Sequence, residues 1–273
     1  MAAIEPMNQF MIHKVVPIDP VTIGGVTVDL SITNSVMMML VAAALLCALL
    51  WASGRGALVP GRMQALGETL FDLIDGTLVT PIIGHNGRPY IPFIFTIFML
   101  VLVMNLMGVV LSVGHLAGQE WTFTPTAQLA VTATLAVLTF VSVIVIGFIK
   151  NGLGFFKLFV PPGVHWAMAV FIGFFEVISF LVRPLTLAMR LFGNILGGHV
   201  VMNIFASFVV ALGAFGLAGW GLNNLGLLGS GLSLGMVIAL TGLELVVAGL
   251  QAFVFAALAT VYLNEVVNLG EGH

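Results

Sequence analysis

Apolar residues run almost unbroken through five stretches of this chain, and proline, glycine and polar residues separate them. A stretch of about 20 apolar residues crosses roughly 30 Å of hydrocarbon as a helix. Residues 33–52, 91–113 and 128–148 fit that length. The last two stretches do not. Residues 164–217 contain Pro184 but no polar break, which amounts to about 80 Å of helix at the standard rise. Residues 232–269 amount to roughly 55 Å. Such helices tilt steeply, bend at Pro184 or break into re-entrant pieces. The segment GWGLNNLGLLGSG lies between them and reads as a turn, so the two form an antiparallel pair.

A different pattern covers residues 62–83. Leu66, Leu70, Phe71, Ile74 and Leu78 alternate at helical spacing with Glu68, Asp72 and Asp75. That piece is too polar to span and predicts an amphipathic helix in the interface, ended by Pro81. Residues 1–30 are mixed; Pro6, Pro17, Pro20, Gly24 and Gly25 argue against one long helix. A short amphipathic piece is expected around Asn8 to Val16. The fold class is therefore all-α: a single polytopic membrane domain with about five crossing helices and one interfacial helix.

Composition agrees, with 60% hydrophobic and only 7% charged residues against about 25% charged in soluble domains. No basic patch exists for nucleic acid. Cys47 is the single cysteine, so no disulfide or metal cluster is built from cysteine. The first residues lack the charged-then-apolar pattern of a cleaved signal peptide. No GxxxxGK[ST] loop is present, so the chain is not expected to hydrolyse ATP itself. No cofactor is expected. With five crossings, Arg55, Arg62, Arg88, Lys150 and Lys157 share one side and only Lys14 falls opposite. Positive charge in short loops marks the cytoplasm. The N-terminus is then outside and the C-terminus cytoplasmic.

Against this apolar background, FFEVISFLVRPLTLAMRLFGNILGGHVVMN at 174–203 stands out. It carries Glu176, Arg183, Arg190, Asn194 and His199. An ionisable residue in a membrane helix costs a few kcal/mol on insertion scales and marks a functional site by default. Arginine keeps its proton in a protein, so Arg190 remains a cation. Glu176, Arg183 and Arg190 are seven apart, and Asn194 extends the stripe by one turn. Gly193 and Gly197 share that side, and His199 points away from it. Neither arginine has a carboxylate three or four residues away. Another segment or another subunit must answer the charge on Arg190.

The last helix carries Glu244 and Gln251, again seven apart. One antiparallel register sets Gln251 level with Arg190 and Glu244 level with His199 within about one turn. A proton path in two unequal parts follows. His199 and Glu244 serve the outer side. Glu176, with Ser179 one turn on, serves the cytoplasmic side, and Arg190 stands between. A fixed cation repels a hopping proton and attracts a carboxylate. The chain has no spare mid-membrane carboxylate facing Arg190, so the carrier belongs to another subunit. Gly193 and Gly197 let that subunit approach. Three blander readings stand beside this one. Asn105, in the second span, serves a helix–helix contact, and His199 with Glu244 forms a buried structural pair. A proton-coupled secondary transporter would also bury such groups, though no internal repeat is visible.

The residues RPLTLAMRLFGNILGGH at 183–199 and LELVVAGLQAFVFAALATVYL at 243–263 closely resemble the subunit a family of the rotary ATP synthases. The likeness extends to QFMIHKVVPI near the start and ITNSV before the first span. By that resemblance, Arg190 is the essential arginine and Arg183 a less critical neighbour. The family's polar motif positions fall on Glu176, Asn194, His199, Glu244 and Gln251. Some bacterial members have an acid in place of His199 and a histidine in place of Glu244; the exchanged pair here resembles the alphaproteobacterial and mitochondrial pattern. The resemblance implies a partner ring of c subunits with lipid-facing carboxylates, peripheral-stalk b subunits and two offset half-channels. It also implies a bacterial inner membrane location and two last helices tilted along the ring.

Overall fold

A computed structural model of the chain describes residues 14–16, 21–23, 26–28, 31–54, 60–116, 125–159, 166–217 and 224–269. Arg55, Glu120 and most of the Asn8–Val16 piece lie outside these. Among the described residues, five helices are long and apolar enough to cross a membrane, as the hydrophobic pattern requires. They are α1 (Asn34–Ser53), α4 (Ile91–Leu116), α5 (Leu129–Asn151), α6 (Trp166–Leu217) and α7 (Asn224–Val267). Between α1 and α4 come α2 (Arg62–Ile74), a π-helical turn Asp75–Val79 and the short α3 (Thr80–Ile82). The fold is all-α and polytopic. Among the described residues are also four short strands: β1 (Lys14–Val16) pairs with β4 (Ile32–Thr33), and β2 (Val21–Ile23) with β3 (Val26–Val28), both antiparallel.

Lys14–Val16 is thus strand, not the end of an amphipathic helix. Val15 and Val16 are β-branched and Pro17 follows them, so the local chemistry favours an extended chain. Pro184 neither breaks α6 nor divides it into re-entrant pieces; α6 runs through it as one helix of 52 residues. The interfacial segment is helical through Ile82, and Gly84, at φ +77°, turns the chain after it.

Two compact units account for these segments. In the first, built from parts of α1, α4, α6 and α7, α7 begins at Asn224, about two turns before the expected start at residue 232. Among the described residues of the segment read as a turn, Gly226 and Gly229 are close-packing residues instead, and Gly216 before it is another. A Cβ on Gly226 would lie 2.7 Å from the Leu212 carbonyl oxygen, and one on Gly216 would lie 2.7 Å from Leu227. Lipid gives no hydrophobic drive for helix association, so small residues that admit close contact carry the packing. Ser230 adds a bond from Oγ to the Val209 carbonyl at 2.8 Å.

In the second unit, Ala252, Ala256, Ala259 and Leu263 form a fully buried small-residue seam along α7. Gly152, at φ +53°, ends α5, and a 3-10 helix (Gly152–Phe159) follows where a loop is expected. Phe155 drops onto Gly147, where a Cβ would fall 2.8 Å from its ring. Phe155 and Phe159 then meet Phe180 of α6 at centroid distances of 6.3 and 5.4 Å.

Candidate functional site

Some of the polar residues singled out in the sequence come together, in one cluster within each unit. In the first unit, His199 of α6 and Glu244 of α7 are both buried, with Nδ1 3.6 Å from Oε1. The register read from the sequence is therefore realised at this pair. Neither Glu244 oxygen accepts a hydrogen bond among the described residues. Gly198 makes room for that carboxylate: a Cβ there would come within 2.6 Å of Oε1. One turn further along α7, the Ala248 carbonyl accepts a bond from Asn105 Nδ2 at 3.2 Å. Asn105 thus makes the expected helix–helix contact. Its Oδ1, however, is buried without a partner among the described residues. Buried polar atoms are normally satisfied by protein or water. Asn194 is exposed, and a Cβ on Gly193 or Gly197 would meet nothing within 4 Å.

In the second unit, Arg183 is the centre of a charged cluster. It pairs with Glu176 across two turns of α6 at 3.6 Å, and it bonds Glu265 of α7. Its guanidinium also lies over the Phe180 and Tyr262 rings, 5.3 and 5.0 Å from their centroids. An arginine fork stacks on aromatic faces while its donors hold carboxylates. Ser179 is exposed beside this cluster in sequence. Gln251 is buried, whereas Arg190 is exposed and makes no ion pair among the described residues.

Two participants are absent from the sequence reading. Glu265 falls two further heptads beyond Gln251, on the stripe that begins at Glu244. Extending that stripe would have found it. Gly198 carries no such signal, because a glycine's neighbour across a helix pair is invisible in sequence.

Fold and clusters together define a polytopic membrane protein that buries or pairs ionisable groups along its two longest helices. A family profile described as ATP synthase A chain matches residues 35–264. A protein of Nitrobacter hamburgensis named ATP synthase subunit a is 44% identical over 266 residues, covering 97% of this chain and 99% of its own. Proteins of the same name from Rhodopseudomonas palustris strain BisB18 and Chelativorans sp. are 42% and 43% identical, each covering 98% of this chain and 99% of its own. The chain belongs to the ATP synthase A chain family.

Proposed function

We propose that this chain is the stationary proton-conducting subunit in the membrane sector of an ATP synthase. It supplies two half-channels and a fixed cation, and it makes no ATP bond itself. Arg190 carries this reading: a permanent cation, exposed on a membrane helix, with no carboxylate of its own among the described residues. Leaving such a charge against lipid is expensive. A moving carboxylate on a neighbouring c-subunit ring answers it. Helical spacing puts Gly193, Asn194 and Gly197 on the side of Arg190, and the open space at both glycines suits a close helix neighbour. Only 11% of the apolar window of α6 is buried, against 39% for α7, which leaves α6 the face to be covered.

The outer half-channel comprises His199, Glu244 and Asn105, with Gln251 toward the middle. The inner one comprises Glu176, Ser179 and Glu265 around Arg183. A carboxylate arriving from the outer route protonated must ionise before passing Arg190, and the arginine's fixed charge favours that ionisation. The same charge blocks direct proton hopping between the routes. In this reading, positive charge in the short loops sets the N-terminus in the periplasm and the C-terminus in the cytoplasm of a bacterial inner membrane, with H⁺ as the coupling ion and b subunits of the peripheral stalk as further partners.

The test is ATP-driven proton pumping by the whole complex in inverted membrane vesicles. Arg190→Ala abolishes pumping while the complex still assembles; normal pumping overturns the reading.

A further inference from the structure

The end of α7 is held by more than the helix itself requires. A helix leaves its last carbonyls without intrahelical donors, and its dipole gathers partial negative charge there. In α7 two of them are taken by one dipeptide at the end of α5. Lys150 Nζ donates to the Val267 carbonyl at 2.7 Å, and Asn151 Nδ2 donates to the Val266 carbonyl at 2.6 Å. The next residue, Asn268, donates to the Ile83 carbonyl at 3.0 Å and accepts from Asn86 Nδ2 at 3.1 Å. Gly147 lets α5 lie this close, since a Cβ there would stand 3.1 Å from Val266 Cβ. Lys150 makes no ion pair among the described residues, so its charge faces a helix end rather than a carboxylate.

Glu265 immediately precedes the two clamped residues, and its carboxylate is the one that meets Arg183. A helix turns about 100° per residue, so a slip of one residue in the last turn would carry that carboxylate off the guanidinium. Arg183 would then face Glu176 alone. With the end fixed from two sides, the turn neither slides nor rotates, and Arg183 stays shared between two carboxylates.

We infer that Lys150 and Asn151 are positioning residues that hold Glu265 against Arg183 and so keep the inner proton route in working geometry. The inference rests on the inner half-channel proposed above. It differs from a purely structural tether in acting through Glu265.

The experiment is a double-mutant cycle on the complete ATP synthase in inverted vesicles. It reads ATP-driven proton pumping per assembled complex. Lys150→Ala slows pumping roughly fivefold, the scale of a lost charge contact at a helix C-terminus, and Asn151→Ala also slows it roughly fivefold, the scale of a lost hydrogen bond. Lys150→Arg, which keeps a cation of similar reach, stays within about twofold of the parent. In a Glu265→Gln background, Lys150→Ala adds no further loss, because both changes act on one element. Losses that add, or no loss from Lys150→Ala, overturn the clamp. Should Lys150→Ala fail to assemble, Lys150→Met, which keeps the aliphatic stem, replaces it in the cycle. Failure of Lys150→Met and Asn151→Ala to assemble as well assigns the contacts to folding alone and overturns the inference. Unimpaired pumping by Glu265→Gln alone overturns the inner-route reading instead, so the two failures are told apart.

Discussion

Gly198 lies directly against the carboxylate of Glu244, close enough that a single added methyl would sit 2.6 Å from Oε1. The glycine belongs to α6 and the carboxylate to α7, and the residue beside the glycine, His199, sets its Nδ1 3.6 Å from that carboxylate. The glycine therefore fixes how near the two titratable groups come.

The first prediction follows from that contact. Gly198→Ala forces Glu244 off its present position, at an overpacking cost of about 1–3 kcal/mol. Proton pumping by assembled complexes should fall severalfold. Adding Glu244→Asp, which shortens the side chain by one methylene, should recover part of the loss. Unchanged pumping in Gly198→Ala would show that the carboxylate's position is not limiting.

Much of this was legible in the chain, and the reasons differ by residue. The five spans follow from length and hydropathy alone, because lipid permits little but helices there. The pairing of His199 with Glu244 followed from one register between two antiparallel helices. Asn105 was read as a helix contact, and it reaches the Ala248 carbonyl. The start of α7 was misread because glycine serves turns and close helix packing equally well, and composition cannot separate the two. Glu265 was missed because the search stopped at Gln251, two stripe positions short of it. The short strands escaped because segments of two or three residues leave almost no periodic signal.

The second prediction concerns charge permanence. Arg190→Lys should fail or nearly fail to pump, although it keeps a nominal positive charge. Lysine presents a compact ammonium that sheds its proton when buried, whereas guanidinium does not. Pumping at the parental rate in this variant, at equal assembly, would remove the need for a permanent cation.

Topology gives the third. The background is Cys47→Ala, so that each introduced cysteine is the single thiol of the chain. In intact cells, an impermeant thiol reagent should label Glu120→Cys, in the sequence between the second and third spans, but not Lys157→Cys. Inverted vesicles should show the reverse. The opposite pattern would exchange the outer and inner routes.

The last prediction tests whether His199 and Glu244 work as a pair. Both residues are buried and their nearest polar atoms stand 3.6 Å apart, so a charge on either one would act directly on the other. Removing one leaves the other buried without its partner, which costs more than exchanging the two. His199→Ala and Glu244→Ala should each slow pumping at least about tenfold, yet less completely than Arg190→Ala. The half-exchange His199→Glu confines two carboxylates together, and two like charges at that distance cannot both ionise. The half-exchange Glu244→His confines two imidazoles with the same difficulty in the opposite sign. Making both changes restores one acid and one base in the same space. The double exchange should therefore pump faster than either half-exchange. Gly198 adds a constraint: the acid would now sit on α6 beside the glycine rather than across from it, so recovery should be partial. The measurement is the initial rate of ATP-driven proton uptake in the parent, both half-exchanges and the double exchange, at matched complex levels. Additive losses without rescue would mean that the two residues share a space but not a proton.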